Sequence, residues 1–396
     1  MTQISIGEAF IPQRTLLGPG PSNVSPRVLQ AMISPLLGYL DPDFLTLMDD
    51  VTKVLQQVFE TSSPLTFAIS GTGSAGMEAG LCNLLEPDDT ILIGVNGFFG
   101  ERIAEISRRQ GAKVIRVDAE WGLPIDPDEI EQELKRHPEI KVLAIVHAET
   151  STGVLQPLED LSSLAKRHDA LFLVDAVTSL GGSPVPVETL GIDFCYSATQ
   201  KCIGAPPGLS PVTASEQARE AMAKRKEPPR SWYLDLSLLL DYWSSSRRYH
   251  HTAPISMIYA LREALRMILE EGLEARHRRH RRNAQALRDG LQALDMDLAV
   301  PEGYRTDQLT SVYIPEETPD LEVRRALLYE YGIEIGGGLG KFAGKVWRIG
   351  LMGESSKEAY VLALLSALES VLPRYGYSVV PGQGTAAASK SFAGQQ

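Results

Sequence analysis

Leu171-Phe172-Leu173-Val174-Asp175-Ala176 is an apolar run that closes on a carboxylate. A buried strand rarely carries an acid without a use for it, because an ionised carboxylate loses its hydration when water is removed. Similar short runs lie on either side, separated by helix-like stretches: Leu65 to Ile69, Ile91 to Val95, Lys113 to Val117, Val142 to His147 and Phe194 to Tyr196. This alternation predicts βαβ units and a mostly parallel sheet between about Leu65 and Val212. Parallel strands gather functional groups at their carboxyl ends, where Ser70, Asn96, His147 and Asp175 all fall.

Downstream, Leu261, Leu265, Ile268, Leu273, His280, Ala284, Leu287 and Leu291 lie roughly on one helical face, which predicts a long helix linking two domains. Leu309 to Ile314 and Val346 to Leu351 read as strands, with helices over Leu321 to Tyr331 and Ser356 to Leu372. The expected division is an N-terminal arm (1–19), a large α/β domain (20–258), a linker helix with a smaller α+β C-terminal domain (259–378), and a disordered Gly-, Ala- and Ser-rich tail (379–396).

With 396 residues, 43% of them hydrophobic and 22% charged, the chain is long enough and ordinary enough for two packed soluble domains. Its formal net charge of -12 opposes attraction to nucleic acid or to an anionic membrane, so small-molecule chemistry is the starting expectation. Cys82, Cys195 and Cys202 form neither a CxxC pair nor a metal-ligand pattern, which suits a reducing compartment. The sequence shows no signal-like N-terminus and no run of about 18 apolar residues, so a soluble, cytoplasmic protein is expected.

A second residue gives Asp175 a use. Lys201 follows the polar stretch Ser197-Ala198-Thr199-Gln200, and pyridoxal 5'-phosphate (PLP) needs a lysine amine to hold its aldehyde as a Schiff base and an acid to keep its pyridine nitrogen protonated. Gly71-Thr72-Gly73-Ser74-Ala75-Gly76 follows a strand and opens a helix, so free backbone N–H groups and the helix dipole make a phosphate site. A dinucleotide fold would also want an acid closing the second strand, and there the run Ile91 to Val95 ends in Asn96.

Other residues carry two readings each. Phe99 could stack on a flat cofactor ring or simply pack in the core. Thr150, in His147-Ala148-Glu149-Thr150-Ser151-Thr152-Gly153, could offer its hydroxyl to the ring's phenolic oxygen or serve an ordinary turn. Arg348 lies on an otherwise apolar strand, where its guanidinium needs an anion: a substrate α-carboxylate or an internal salt bridge. No second arginine has so telling a context, so a substrate with a small uncharged side chain is expected. The run Arg276 to Arg282 reads as a solvated helix face rather than a nucleic-acid patch. His250 and His251 lack a metal-site spacing, and no metal is expected.

Together these motifs resemble a known family. Leu17-Gly18-Pro19-Gly20-Pro21-Ser22-Asn23, Ser70 to Gly76, Ser151-Thr152-Gly153-Val154-Leu155-Gln156-Pro157, Val174-Asp175 with Ser179 to Gly182, Ser197 to Lys201 with Ala205 to Gly208, Tyr249 to Thr252, and Gly337 to Gly340 with Arg348 to Gly350 look like alanine-glyoxylate (serine-pyruvate) aminotransferases. These are class V aminotransferases of PLP fold type I, and the resemblance runs from about Leu16 to Leu372. It implies that Lys201 binds PLP, that Asp175 pairs with the pyridinium, and that Val177 and Phe99 flank the ring. Many relatives carry Trp where this chain has Phe99, and Ser where it has Thr150. Thr72, Gly73, Ser74 and Gln200 would hold the phosphate, helped by Tyr249 and Thr252 from the second subunit of a homodimer with shared active sites. Arg348 and Gly20 would bind the substrate. The implied reaction carries the amino group of alanine or serine to glyoxylate by a ping-pong route. Alternatives are an aminoethylphosphonate or phosphoserine aminotransferase and, on the glycine loop alone, a nicotinamide-dependent oxidoreductase. A cysteine desulfurase would need a cysteine in the C-terminal half, and none follows Cys202.

Overall fold

The computed structural model describes residues 6–394, so the first five residues of the expected arm and the last two of the expected tail lie outside it. Seven strands form the central sheet: β1 (Thr66–Ser70), β2 (Thr90–Val95), β3 (Lys113–Asp118), β4 (Ile140–Val146), β5 (Leu171–Asp175), β6 (Phe194–Tyr196) and β7 (Leu209–Ala214). Their order is β1-β7-β6-β5-β4-β2-β3. Only β7 runs antiparallel to its neighbours, β1 and β6; the other pairs are parallel. Strands β2 and β5 are buried along their whole length, which is why they read as apolar runs rather than alternating ones.

Helices α1 (Gly73–Leu84) and α2 (Phe98–Gln110) leave the carboxyl ends of β1 and β2. The expected linker helix is two helices, α3 (Ile255–Glu271) and α4 (Leu273–Ala293), parted at Gly272, whose φ of 80° no helix interior accepts. Ile258, Leu261, Leu265 and Ile268 of α3 pack in the core around the sheet, while Leu287 and Leu291 of α4 belong to a second core. The division between the two cores therefore falls near Gly272 rather than at residue 258.

The second core lies under β8 (Leu309–Tyr313), β9 (Gly336–Gly337) and β10 (Val346–Gly350), paired antiparallel in the order β8-β10-β9, and under helix α5 (Glu358–Val371). The N-terminal arm joins this domain: Thr15–Leu16 pairs with Ile333–Glu334, and the Leu17 carbonyl accepts from the Gly350 N–H at 2.8 Å.

One expectation is overturned. The segment read as a disordered tail forms helix α6 (Gln383–Gly394), with Ala388 and Phe392 buried in the second core. The Glu369 carboxylate caps its start, accepting from the N–H groups of Gly382, Gly384 and Thr385 at 2.8, 2.8 and 3.0 Å. A composition poor in large apolar residues suggested disorder, yet alanine is the best helix former and one phenylalanine anchors the helix to its neighbours.

Candidate active site

At the carboxyl end of β5, Asp175 is 3% exposed and fully engaged. Its Oδ1 accepts from the Val177 N–H and its Oδ2 from the Tyr196 hydroxyl, both at 2.8 Å. Tyr196 ends β6 directly opposite Asp175 in the ladder. Burial pushes the carboxyl up to about 6, against the pull of those two hydrogen bonds. The sequence marked Phe194 to Tyr196 as a strand but not the tyrosine as a partner, because cross-strand register is not visible in a single segment.

Lys201 sits in an irregular turn just past β6, with φ and ψ of -105° and -128°. The N-terminal arm closes over it: the Ser22 N–H donates to the Gln200 carbonyl at 2.9 Å and the Ser22 hydroxyl to the Lys201 carbonyl at 3.0 Å. The Lys201 ammonium donates to the Pro19 carbonyl. Gly20, at φ 114°, leaves the space this approach requires, since a Cβ there would lie 2.4 Å from Lys201 Nζ. Burial draws the ammonium down to about 8, and the nearby Arg348 charge pushes the same way.

Helix α1 points its N-terminus at this space. Its N-cap, Thr72, makes no side-chain cap hydrogen bond, so the first N–H groups of α1 stay available to an anion. Gly73 lies against Val177: a Cβ on Gly73 would be 3.0 Å from that side chain and from Ala198. The exposed Ser74 hydroxyl accepts from Arg102 Nη1 at 3.3 Å. Gln200 Oε1 is buried without a hydrogen-bond partner among the described residues. Phe99 is half-buried at the start of α2, and its backbone N–H donates to Glu149 Oε2 at 3.0 Å.

Arg348, on β10, is 6% exposed. Its Nε donates to the Gly337 carbonyl at 2.7 Å and its Nη1 to the Thr150 carbonyl at 3.1 Å. Among the described residues it has no carboxylate within ion-pair distance, so the internal salt bridge is not what the fold provides. Burial, helped by the nearby Arg324 charge and opposed by Glu149, pulls the guanidinium down to about 10. Thr150 is buried and thus joined to Arg348 through its backbone.

Two site residues were missed in the sequence. Glu149 is fully buried, and a weaker form of the signal that drew attention to Asp175 applied to it, an acid two residues past the apolar run Val142 to His147. Arg276, read as part of a solvated face, is 6% exposed and donates to the Cys202 carbonyl at 2.6 Å and the Gly181 carbonyl at 3.0 Å. His280, one turn on, is also buried and accepts from the Gly353 N–H at 3.0 Å. Only the remaining positions of that run carry exposed or part-exposed side chains. The i, i+4 pair faces the lysine turn because α4 packs there, a placement that no local pattern reveals.

Tyr249 and Thr252 are not brought to the phosphate end within this chain. Both are exposed, and Tyr249 lies against the Tyr39 ring at 5.0 Å between centroids. His251, between them, is hydrogen-bonded to the Ser70 hydroxyl at 2.6 Å. No group of His, Cys, Asp and Glu able to hold a metal occurs among the described residues.

A mostly parallel sheet whose carboxyl edge presents a buried lysine, a buried acid, an open helix N-terminus and an arginine without an acid partner defines a PLP-dependent transferase. The chain belongs to the class V aminotransferase family: a profile of that family matches residues 16–344. It is similar to the alanine–glyoxylate aminotransferase of Nostoc sp., at 48% identity over 93% of this chain and 98% of that one, with a TM-score of 0.92. Ureidoglycine-glyoxylate aminotransferase from Bacillus subtilis superposes with a TM-score of 0.96 at 41% identity, covering 98% of this chain and 100% of that one. The alanine–glyoxylate aminotransferase of Callithrix jacchus is 42% identical over 91% of this chain and 88% of its own. Membership of this family indicates PLP as the cofactor, and the open N–H groups at the uncapped start of α1 are donors that its phosphate would satisfy.

Proposed function

We propose that this chain transfers the amino group of a small, uncharged L-amino acid, alanine or serine, to glyoxylate, yielding glycine and pyruvate or hydroxypyruvate in two alternating half-reactions. The observation that carries this reading is Arg348, a buried guanidinium held by two backbone carbonyls and left without an acid. Its free N–H groups suit the carboxylate that donor and acceptor both carry. Glyoxylate also appears in the names of the relatives of both kinds.

PLP, when bound, supplies an electron sink for the charge that develops at the donor's α-carbon. The chain's residues do the rest. Thr72, Gly73, Ser74 and Gln200 hold the phosphate; Val177 and Phe99 confine the ring; Asp175 keeps a proton on the ring nitrogen. Lys201, drawn down to about 8 by burial, is partly neutral in mildly alkaline solution and moves a proton to and from the α-carbon. The active unit is a homodimer, in which the exposed Tyr249 and Thr252 serve the partner's phosphate. The buried, unpaired thiols of Cys82, Cys195 and Cys202 fit a cytoplasmic setting.

A second donor, (S)-ureidoglycine, is favoured by the Bacillus subtilis transaminase, to which this chain is 40% identical over 96% of both chains. Its side chain is also uncharged. Absorbance of the PLP-loaded protein, recorded after adding L-alanine, L-serine or (S)-ureidoglycine without acceptor, separates the donors by rate. Loss of the yellow band with one of them, and its return with glyoxylate, is the expected result. A protein that binds no PLP, or responds to none of the three, refutes the reading.

A further inference from the structure

Glu149 is a carboxylate with 0% exposure, lies at the centre of the site, and has no assigned part in the chemistry above. Its oxygens are used in two directions. Oε2 accepts from the Phe99 N–H at 3.0 Å, in the first turn of α2. Oε1 accepts from both the N–H and the hydroxyl of Ser151, at 2.9 and 2.7 Å. The Ser151 Oγ in turn accepts from the Phe98 N–H at 2.8 Å. The N-cap of α2 is Gly97, which has no side chain to cap with, so residues about fifty positions downstream supply the missing acceptors.

The fold makes room for this arrangement at a specific point. A Cβ on Gly97 would lie 2.3 Å from Glu149 Cγ and 2.5 Å from Ser151 Oγ. Gly97 has an extended backbone, φ 176°, that any residue adopts, so glycine is required there by space and not by conformation. Between the two anchoring residues sits Thr150, whose carbonyl accepts from Arg348 Nη1 at 3.1 Å. One three-residue segment therefore grips the helix end that carries Phe99 and the arginine that awaits a carboxylate.

We propose that Glu149 is a positioning residue that locks the aromatic wall of the cofactor site, at Phe99, and the substrate-carboxylate site, at Arg348, into one rigid frame. This deepens the aminotransferase reading and rests on it. The charge of Glu149 matters as well as its shape: burial pushes its carboxyl above the usual range, and the hydrogen bonds from Ser151, Phe99 and Gly100 oppose that shift by favouring the anion. An anion at a helix N-terminus is stabilised by the helix dipole, and hydrogen bonds to an ionised acceptor are about twice as strong as neutral ones. Its field also acts on Arg348 and Lys201, favouring the charged form of each.

The test compares wild type with Glu149→Gln and Gly97→Ala. Glutamine keeps the shape but turns one of the two accepting oxygens into a donor. The Gly97 substitution leaves Glu149 in place chemically and displaces it by contact, so the test survives if the glutamine variant does not fold. In the cofactor-free full-length protein, amide exchange at residues 98–100 is expected to speed up in both variants by about tenfold. In PLP titrations, the dissociation constant is expected to rise about tenfold and the visible circular dichroism of the bound cofactor to change sign or amplitude. The KM for the donor is expected to rise as well, through Thr150 and Arg348. Unchanged exchange at 98–100, or faster exchange with an unchanged PLP constant and unchanged donor KM, overturns the proposal. Failure of wild type to bind PLP refutes the aminotransferase reading instead, and the exchange measurement still reports on the anchor.

Discussion

Replacing Lys201 with methionine should abolish amino transfer and, in the cofactor-free protein, raise stability at neutral pH. The fold buries this amine to 9% exposure and draws it from 10.5 down to about 8, chiefly by removing water from the ammonium. A shift of that size corresponds to about 3 kcal/mol held against the folded state wherever both states are protonated. Methionine fills a similar volume without a charge but leaves the Pro19 carbonyl without its donor, which costs about 1 kcal/mol. The net gain is about 2 kcal/mol, or about 2–3 °C in melting temperature for a chain of this length.

The sign depends on pH in a specific window. Below about 8 the folded and unfolded chains both carry the proton, and only the folded chain has to bury it. Between about 8 and 10.5 the folded amine is neutral while the unfolded one is still protonated, so wild type gains stability as pH rises. Above 10.5 the advantage of the variant vanishes. Thermal melts of both cofactor-free proteins at pH 7, 9 and 10.5 read this directly. A Lys201→Met protein that melts at or below wild type at pH 7, or keeps a constant advantage across the series, would refute the claim that the site stores the cost of a buried ammonium.

Arg348→Gln removes the carboxylate-binding fork and orphans the Gly337 and Thr150 carbonyls, so kcat/KM for the donor should fall by about 10²–10³, from about 3–4 kcal/mol of lost charge-assisted bonding. A fall of less than threefold in a folded, PLP-loaded variant would remove Arg348 from substrate binding. Asp175→Asn should cut turnover at least about tenfold, since it replaces one charge-assisted partner by a neutral one. The same variant should stabilise the cofactor-free protein above about pH 6, where the folded wild type must bury an ionised carboxylate, and lose that advantage below about pH 4, where Asp175 is protonated in both states. Equal turnover with retained PLP, or no stability difference at pH 7.5, would count against the assigned role.

Much of the site was legible before any coordinates. Asp175 stood out because an ionisable group at the end of a buried run is costly, Lys201 because PLP needs an amine to go with such an acid, and the glycine-rich turn after β1 because a helix N-terminus with little side chain in the way can meet a phosphate. Other parts were not legible. Glu149 and Arg276 do their work through residues about fifty to seventy-five positions away, Phe99 and Cys202, and such pairs arise only when strands and helices pack. The tail was misread because composition describes what a segment lacks, whereas α6 is held by the Glu369 carboxylate and a single phenylalanine.

The linear order of residues alone made the parallel sheet legible through local periodicity, singled out Asp175 and Lys201 as the acid and amine proposed for the cofactor, and pointed to the class of cofactor through the family its combined motifs resemble. Tertiary structure decided the rest: that the N-terminal arm crosses the small domain to reach Lys201, that Arg348 is left without an acid, that α4 turns Arg276 inward, and that Glu149 ties the first turn of α2 to the arginine. Each of those depends on distances between segments far apart in the chain. Packing of the two cores sets such distances, and no single stretch of sequence encodes them.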